Sequence, residues 1–247
     1  MPNIGRILQP FFLKIPCYPF HSDSRPKIMS LAIFDLDNTL IGDDSDHLWG
    51  QFLVDQGIVD REQYEAANQQ FYDDYKAGQL DIVAFLNFSL KVLTLHEPET
   101  LFAWRQQFIE EKIKPVMLPA ASELIKKHRS QGDTLLVITA TNRFVTEPIV
   151  KMLGIDNLLA TEPETLNGRY TGHFTDAPCY QGGKVTRLNH WLLNSNENLA
   201  GSYFYSDSHN DLPLLERVEN PIAVDPDETL YKEASSRNWS IISLRER

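Results

Sequence analysis

The chain has 247 residues, 42% of them hydrophobic, enough for one large domain or a domain with a smaller insert. The formal net charge is −11, with acidic residues spread along the sequence. That balance excludes broad nucleic-acid affinity, which needs a basic face, and no apolar run approaches the roughly 18 residues of a membrane span.

Residues 7–20, "ILQPFFLKIPCYPF", are apolar, but Pro10, Pro16, Pro19 and Lys14 break the run and no small-residue cleavage site follows. Residues 1–28 are therefore expected to lie outside the fold, with "KIMSLAIFDLD" reading as an ordinary protein start at Met29. There are two cysteines, Cys17 and Cys179. One falls in that first segment, so a reducing cytoplasm is expected rather than a disulfide framework.

Leu31 to Phe34 reads as a short strand with apolar side chains on both faces, as inside a parallel sheet. Ser45 is expected to cap a helix that buries Leu48, Trp49, Phe52 and Leu53 and ends at Gly57. Asp60 and Gln63 resemble a capping box for a helix carrying Tyr64, Phe71 and Tyr75, stopped at Gly78. Helical patterns follow over 81–95 and 99–114, so residues 44–114 form an all-helical block with most of its aromatics in its own core.

The pattern then alternates. "LPAASELIKKHRSQGD" is a helix, "TLLVITAT" a strand, 146–153 a helix and "NLLAT" a strand. Asn167-Gly168 marks a hairpin. "GKVTRLNHWLLN" is a helix, "SYFYSD" a strand and "DLPLLERV" a helix, before the strands "PIAVD" and "WSIIS". Such alternation implies a parallel sheet covered on both faces, with the helical block inserted after the first strand.

Ligands of open α/β sheets sit outside the carboxyl ends of the strands. Those ends carry Asp35-Leu36-Asp37-Asn38-Thr39, Thr139-Ala140-Thr141 and Asp207-Ser208-His209-Asn210-Asp211, and Gly182-Gly183-Lys184 opens a helix between the last two. Two carboxylates about 4 Å apart repel by about 4 kcal/mol at an effective dielectric near 20, so the cluster needs a cation. Mg²⁺ prefers such oxygen donors, Lys184 adds a second positive charge, and a phosphoryl group is the small substrate that uses both. Asp35 is placed to act as nucleophile and Asp37 to give and take the proton. Gly182-Gly183-Lys184 is not a P-loop, since Val185 stands where Ser or Thr is required.

"DLDNT", "TAT", "GGK" and "SDSHND", in this order, resemble the four motifs of the haloacid dehalogenase superfamily. The helical block resembles the C1 cap of its phosphoserine-phosphatase-like branch, which includes relatives labelled as histidinol phosphatases. The resemblance spans residues 29–247. It implies an α/β fold, a Rossmann-like doubly wound parallel sheet formed by 29–43 and 115–247, with the cap at 44–114. Asp35 would be the nucleophile, Asp37 the acid/base and Lys184 the charge stabiliser. Thr139, Ala140, Lys184 and Asn210 would hold the phosphate, and Asp35, the backbone carbonyl of Asp37 and Asp207 the Mg²⁺, with Asp211 in support. The second aspartate of the first motif favours phosphomonoester hydrolysis. A phosphotransferase sharing the intermediate and a non-catalytic binding protein are the alternatives.

In phosphoserine phosphatases, a carboxylate in the first cap segment binds the substrate amine and a cap arginine binds its carboxylate. Asp44 stands where the amine-binding residue would be, and it and Asp46 flank Ser45. "DIVAFLNFSLKVL" contains no arginine. A small phosphorylated amine without a carboxylate, such as histidinol phosphate, is therefore expected over phosphoserine. His47 and His209 are expected in capping or solvated positions.

Overall fold

The computed structural model describes residues 30–245; the expected extension, residues 1–28, and Cys17 lie outside them. The first strand, β1 (Leu31–Phe34), is buried along its whole length. Ala32 and Phe34 join one apolar cluster, Leu31 and Ile33 another, so both faces are covered as a continuous apolar run requires. β1 pairs in parallel with β2 (Thr134–Asn142) and β5 (Tyr203–Ser206). With β3 (Asn157–Leu166), β4 (Arg169–Thr175), β6 (Asn220–Val224) and β7 (Ser240–Ile242), they form a seven-stranded sheet in the order β4-β3-β2-β1-β5-β6-β7. Only β4 runs antiparallel, closing on β3 through Asn167 (φ 52°) and Gly168 (φ 79°), the two left-handed residues that the Asn-Gly pair anticipates. The chain builds outward from β1 in both directions, which places a topological switch point beside it.

Between β1 and β2 come α1 (Ser45–Asp55), α2 (Arg61–Lys76), α3 (Ile82–Ser89), α4 (Lys91–Thr94), α5 (Pro98–Phe108) and α6 (Pro119–Gln131). α7 (Arg143–Met152), α8 (Gly182–Leu193), α9 (Leu212–Leu215) and α10 (Glu228–Ser236) complete the chain. Trp49 of α1 packs edge-on against Phe108 of α5 and Phe144 of α7, at 5.2 and 5.6 Å between ring centroids. Each such ring contributes about 1.5–3 kcal/mol when buried, and the insert thereby shares one apolar cluster with the sheet.

Several expectations need correction. The cap of α1 is Asp44, not Ser45: Asp44 Oδ1 accepts from the backbone N–H of Asp46 (3.0 Å) and of His47 (2.8 Å). The stretch 81–95 is divided at Leu90 into two short helices. After Phe108 the helix widens into a π turn (Ile109–Ile113) and then tightens over Lys114–Val116. α7 starts three residues early because Asn142 caps it, and α10, capped by Asp227, was not foreseen.

Candidate active site

Asp35 follows β1 directly, its N–H donating to Tyr205 O at 2.9 Å. The chain then turns tightly: Leu36 O accepts from the N–H groups of Thr39, Leu40 and Ile41, and Asn38 takes a left-handed φ of 54°, which Asn tolerates better than most residues. The turn brings Thr39 to the end of β5. Its hydroxyl donates to Asp207 Oδ1 (3.2 Å) and accepts from Asp207 N–H (3.1 Å), stapling two loops together.

Lys184 arrives from the first turn of α8. A Cβ at Gly183 would stand 2.0 Å from Pro178 O, so only glycine lets the helix start this close. Lys184 Nζ donates to Asp35 Oδ1 at 2.8 Å and to Asp211 Oδ2 at 2.7 Å, with all three side chains buried. Asp211 Oδ2 also accepts from Ser206 Oγ at 2.7 Å. Asp37 Oδ1 accepts from Ser45 N–H at 2.8 Å, and its Oδ2 from the hydroxyls of Thr141 (2.9 Å) and Thr139 (3.2 Å).

Burial pushes the Asp35 carboxyl up to about 7 against the opposing pull of Lys184. Burial also raises Asp37, opposed by its bonds from Ser45, Thr141 and Thr139. Asp207 keeps part of its surface accessible, yet desolvation, then Asp35 and Asp211, raise it well above the carboxylate range. For Lys184, burial works against the charge, but Asp211 and Asp35 outweigh it and hold the ammonium above its ordinary value. An extra proton is thus readily held among these acids.

A narrow cavity of about 40 Å³ lies over this group. Asp35, Asp37, Thr139, Ala140 and Thr141 form one side. Asp44, Asp46 and His47 of the insert form another, beside aromatic side chains of α2 and α3. Burial and then the Asp37 charge raise Asp44, to about 7, although part of its surface remains accessible.

Asn210 is placed differently from the expectation. Its Nδ2 donates to Tyr75 O (3.1 Å), and its Oδ1 accepts from Tyr180 Oη (3.1 Å) and Gln181 Nε2 (3.0 Å). The side chain is spent on holding α2 against the loop after β5, and it is not among the cavity walls. His209 Nδ1 pairs with Asp227 Oδ2 at 2.7 Å. His47 stacks on Tyr72 with centroids 4.4 Å apart. Thr39, Thr141 and Ser206 had been given no role; a hydroxyl at or just past a strand end was their one signal.

Among the described residues no three His, Cys, Asp or Glu side chains converge as a ready-made ligand group. Lys184 stands on both Asp35 and Asp211 and engages the Asp211 oxygen. The donor chemistry still fits a hard divalent cation: Asp35 and Asp207 are neighbouring oxygen donors, and the charge on Asp207 is met only by the Thr39 hydroxyl among the described residues.

The haloacid dehalogenase-like hydrolase family model matches residues 32–216. A histidinol-phosphatase of Neisseria meningitidis serogroup C (strain 8013) is 46% identical over 87% of this chain and 99% of its own. A protein of unknown function from Bordetella pertussis Tohama I superposes with a TM-score of 0.83 at 40% identity, covering 88% of this chain and 99% of that one. A substrate-bound phosphoserine phosphatase shares the fold, with a TM-score of 0.66 at 17% identity over 88% and 93% of the two chains. The chain belongs to the haloacid dehalogenase-like hydrolase family, and within it is a phosphoric monoester hydrolase. No helix among the described residues is long and apolar enough to cross a membrane.

Proposed function

We propose that the protein is a cytoplasmic Mg²⁺-dependent phosphatase of a small phosphorylated amine, histidinol phosphate being the leading candidate, working through a phosphoryl group on Asp35. The observation that carries this reading is the pairing of two buried aspartates with opposite surroundings: Asp35 on the Lys184 ammonium, Asp37 on neutral hydroxyl and amide donors. Environments of that kind separate a nucleophile from a proton donor. Residues 44–114 serve as the cap, consistent with the Asn210 to Tyr75 bond across the two parts.

In the first step an Asp35 oxygen attacks phosphorus and the ester P–O bond breaks. Asp37, which burial disposes to keep its proton, gives that proton to the departing alkoxide. In the second step Asp37 takes a proton from water, the water oxygen attacks phosphorus, and the bond to Asp35 breaks to release inorganic phosphate. Lys184 holds Asp35 in place and offsets negative charge on the phosphoryl oxygens. Asp35, the backbone carbonyl of Asp37 and Asp207 would hold the Mg²⁺, with Asp211 acting through Lys184. When bound, the ion neutralises phosphoryl charge.

The substrate assignment draws on the 46% identity to the Neisseria histidinol-phosphatase and on the absence of lysine and arginine from the described cavity walls, which leaves no ammonium or guanidinium there to pair with a substrate carboxylate. The test is phosphate release from histidinol phosphate and phosphoserine, with Mg²⁺ and after chelation. Histidinol phosphate should be hydrolysed far faster, EDTA should abolish turnover and Mg²⁺ should restore it. A preference for phosphoserine would contradict the substrate, and full activity without metal would contradict the mechanism.

A further inference from the structure

The first turn of α1 holds a carboxylate that the chemistry above does not use. Asp46 is 8% exposed, lines the same cavity as Asp35 and Asp37, and its Oδ2 is buried with no hydrogen-bond partner among the described residues. Buried polar groups almost always have partners, so one without any, on a residue that lines a cavity, marks a place for a ligand. Asp44, where the sequence placed the amine-binding role, has already given Oδ1 to two backbone N–H groups of α1. Asp44 keeps only Oδ2, while the Asp46 carboxylate has no side-chain hydrogen bond among the described residues.

We infer that Asp46 is the specificity residue for the substrate's cationic end, accepting an N–H from the ammonium or imidazolium group of a phosphorylated amine. The assignment rests on the phosphatase reading of the same cavity and adds the residue that selects the substrate. No lysine or arginine among the described cavity walls answers its charge, and Asp44 and Asp37 add repulsion that only a cation relieves. Burial, followed by those two charges, holds the Asp46 carboxyl well above its ordinary range, a penalty that a bound cation removes. Phe71, Tyr72 and Phe85 line the same space, and aromatic faces favour a flat or cationic guest. A second phosphate or a sugar acid would meet only like charge at this end.

The test compares full-length wild type with Asp46→Asn, loaded with Mg²⁺, on histidinol phosphate and on p-nitrophenyl phosphate, which carries no cation. The ratio of kcat/KM for the two should fall roughly 30-fold or more in the variant, mostly through KM for histidinol phosphate. The ligand-free variant should also melt at or above the wild-type temperature, because an unpartnered buried charge has been removed; a structural role would lower it. Asp46→Ala gives the same ratio if the new amide disturbs the helix start. A ratio held within about twofold, or a clear loss of stability in both variants, overturns the assignment. If the wild type releases no phosphate from either compound, the phosphatase reading itself fails, and this inference with it.

Discussion

Asp35, the proposed nucleophile, is kept in an environment that resists its charge. Its carboxyl lies near 7 rather than the ordinary 3.8 because burial outweighs the Lys184 ion pair. A folded-state value above the unfolded one means that the folded protein binds the extra proton. The stabilisation is fully present below about pH 4 and is lost as pH rises through about 7. In chelator, wild type should therefore lose several degrees of melting temperature relative to Asp35→Asn between about pH 5 and pH 8. Parallel melting curves across that range would show that Asp35 does not titrate there. The residue scale is also where reading the sequence met its limits. The order of Asp35, Asp37, Lys184 and Asp207 was legible because strand ends and spacing suffice to bring them together. Which of Asp44 and Asp46 is left free for a substrate was not, because the sequence points to Ser45 as the cap and both acids flank it. In the structure Asp37 takes the Ser45 N–H and Asp44 caps the helix through the next two, bonds that no sequence pattern separates.

At the scale of elements, α8 shows how a helix start becomes catalytic equipment. Gln181 is left-handed at φ 47°, and Gly183 passes so close to Pro178 O that any side chain must push the backbone apart. Gly183→Ala should therefore displace Lys184 from Asp35 and Asp211, costing about 1–3 kcal/mol and most of the phosphatase activity. Gly182→Ala is the internal control, since a Cβ there meets nothing within 4 Å, and its stability should stay within about 0.5 kcal/mol of wild type. Equal losses in urea melts of the two variants would mean that helix propensity, not the Pro178 contact, governs the site. Strands were the easy elements to read, because runs such as "LAIF" and "TLLVIT" are apolar on both faces. α10 escaped because only Leu230 and Ala234 of its nine residues are buried, too thin a stripe to stand out. The bond from Asn210 to α2 could not be read, because proximity to a strand end does not give direction; its partner Tyr75 is 135 residues away.

Across the whole molecule, the sheet order places β1 at the point from which the chain builds outward both ways, and the acids stand at its carboxyl end. The insert hangs from that same end, its first helix tied to Asp37 through Ser45 and its second to the loop after β5 through Asn210. Phosphate chemistry and substrate choice thus meet in one cavity while coming from separate parts of the sequence. The central claim is that Asp35 carries the phosphoryl group between the two steps. The most direct measurement is a single turnover with histidinol phosphate and Mg²⁺, quenched in acid and followed by peptide mass spectrometry. The account predicts one added phosphoryl mass on the peptide containing Asp35, sensitive to hydroxylamine and absent in Asp35→Asn. A phosphoryl group found on another residue, or an Asp35→Asn variant that still turns over at the wild-type rate, would contradict it.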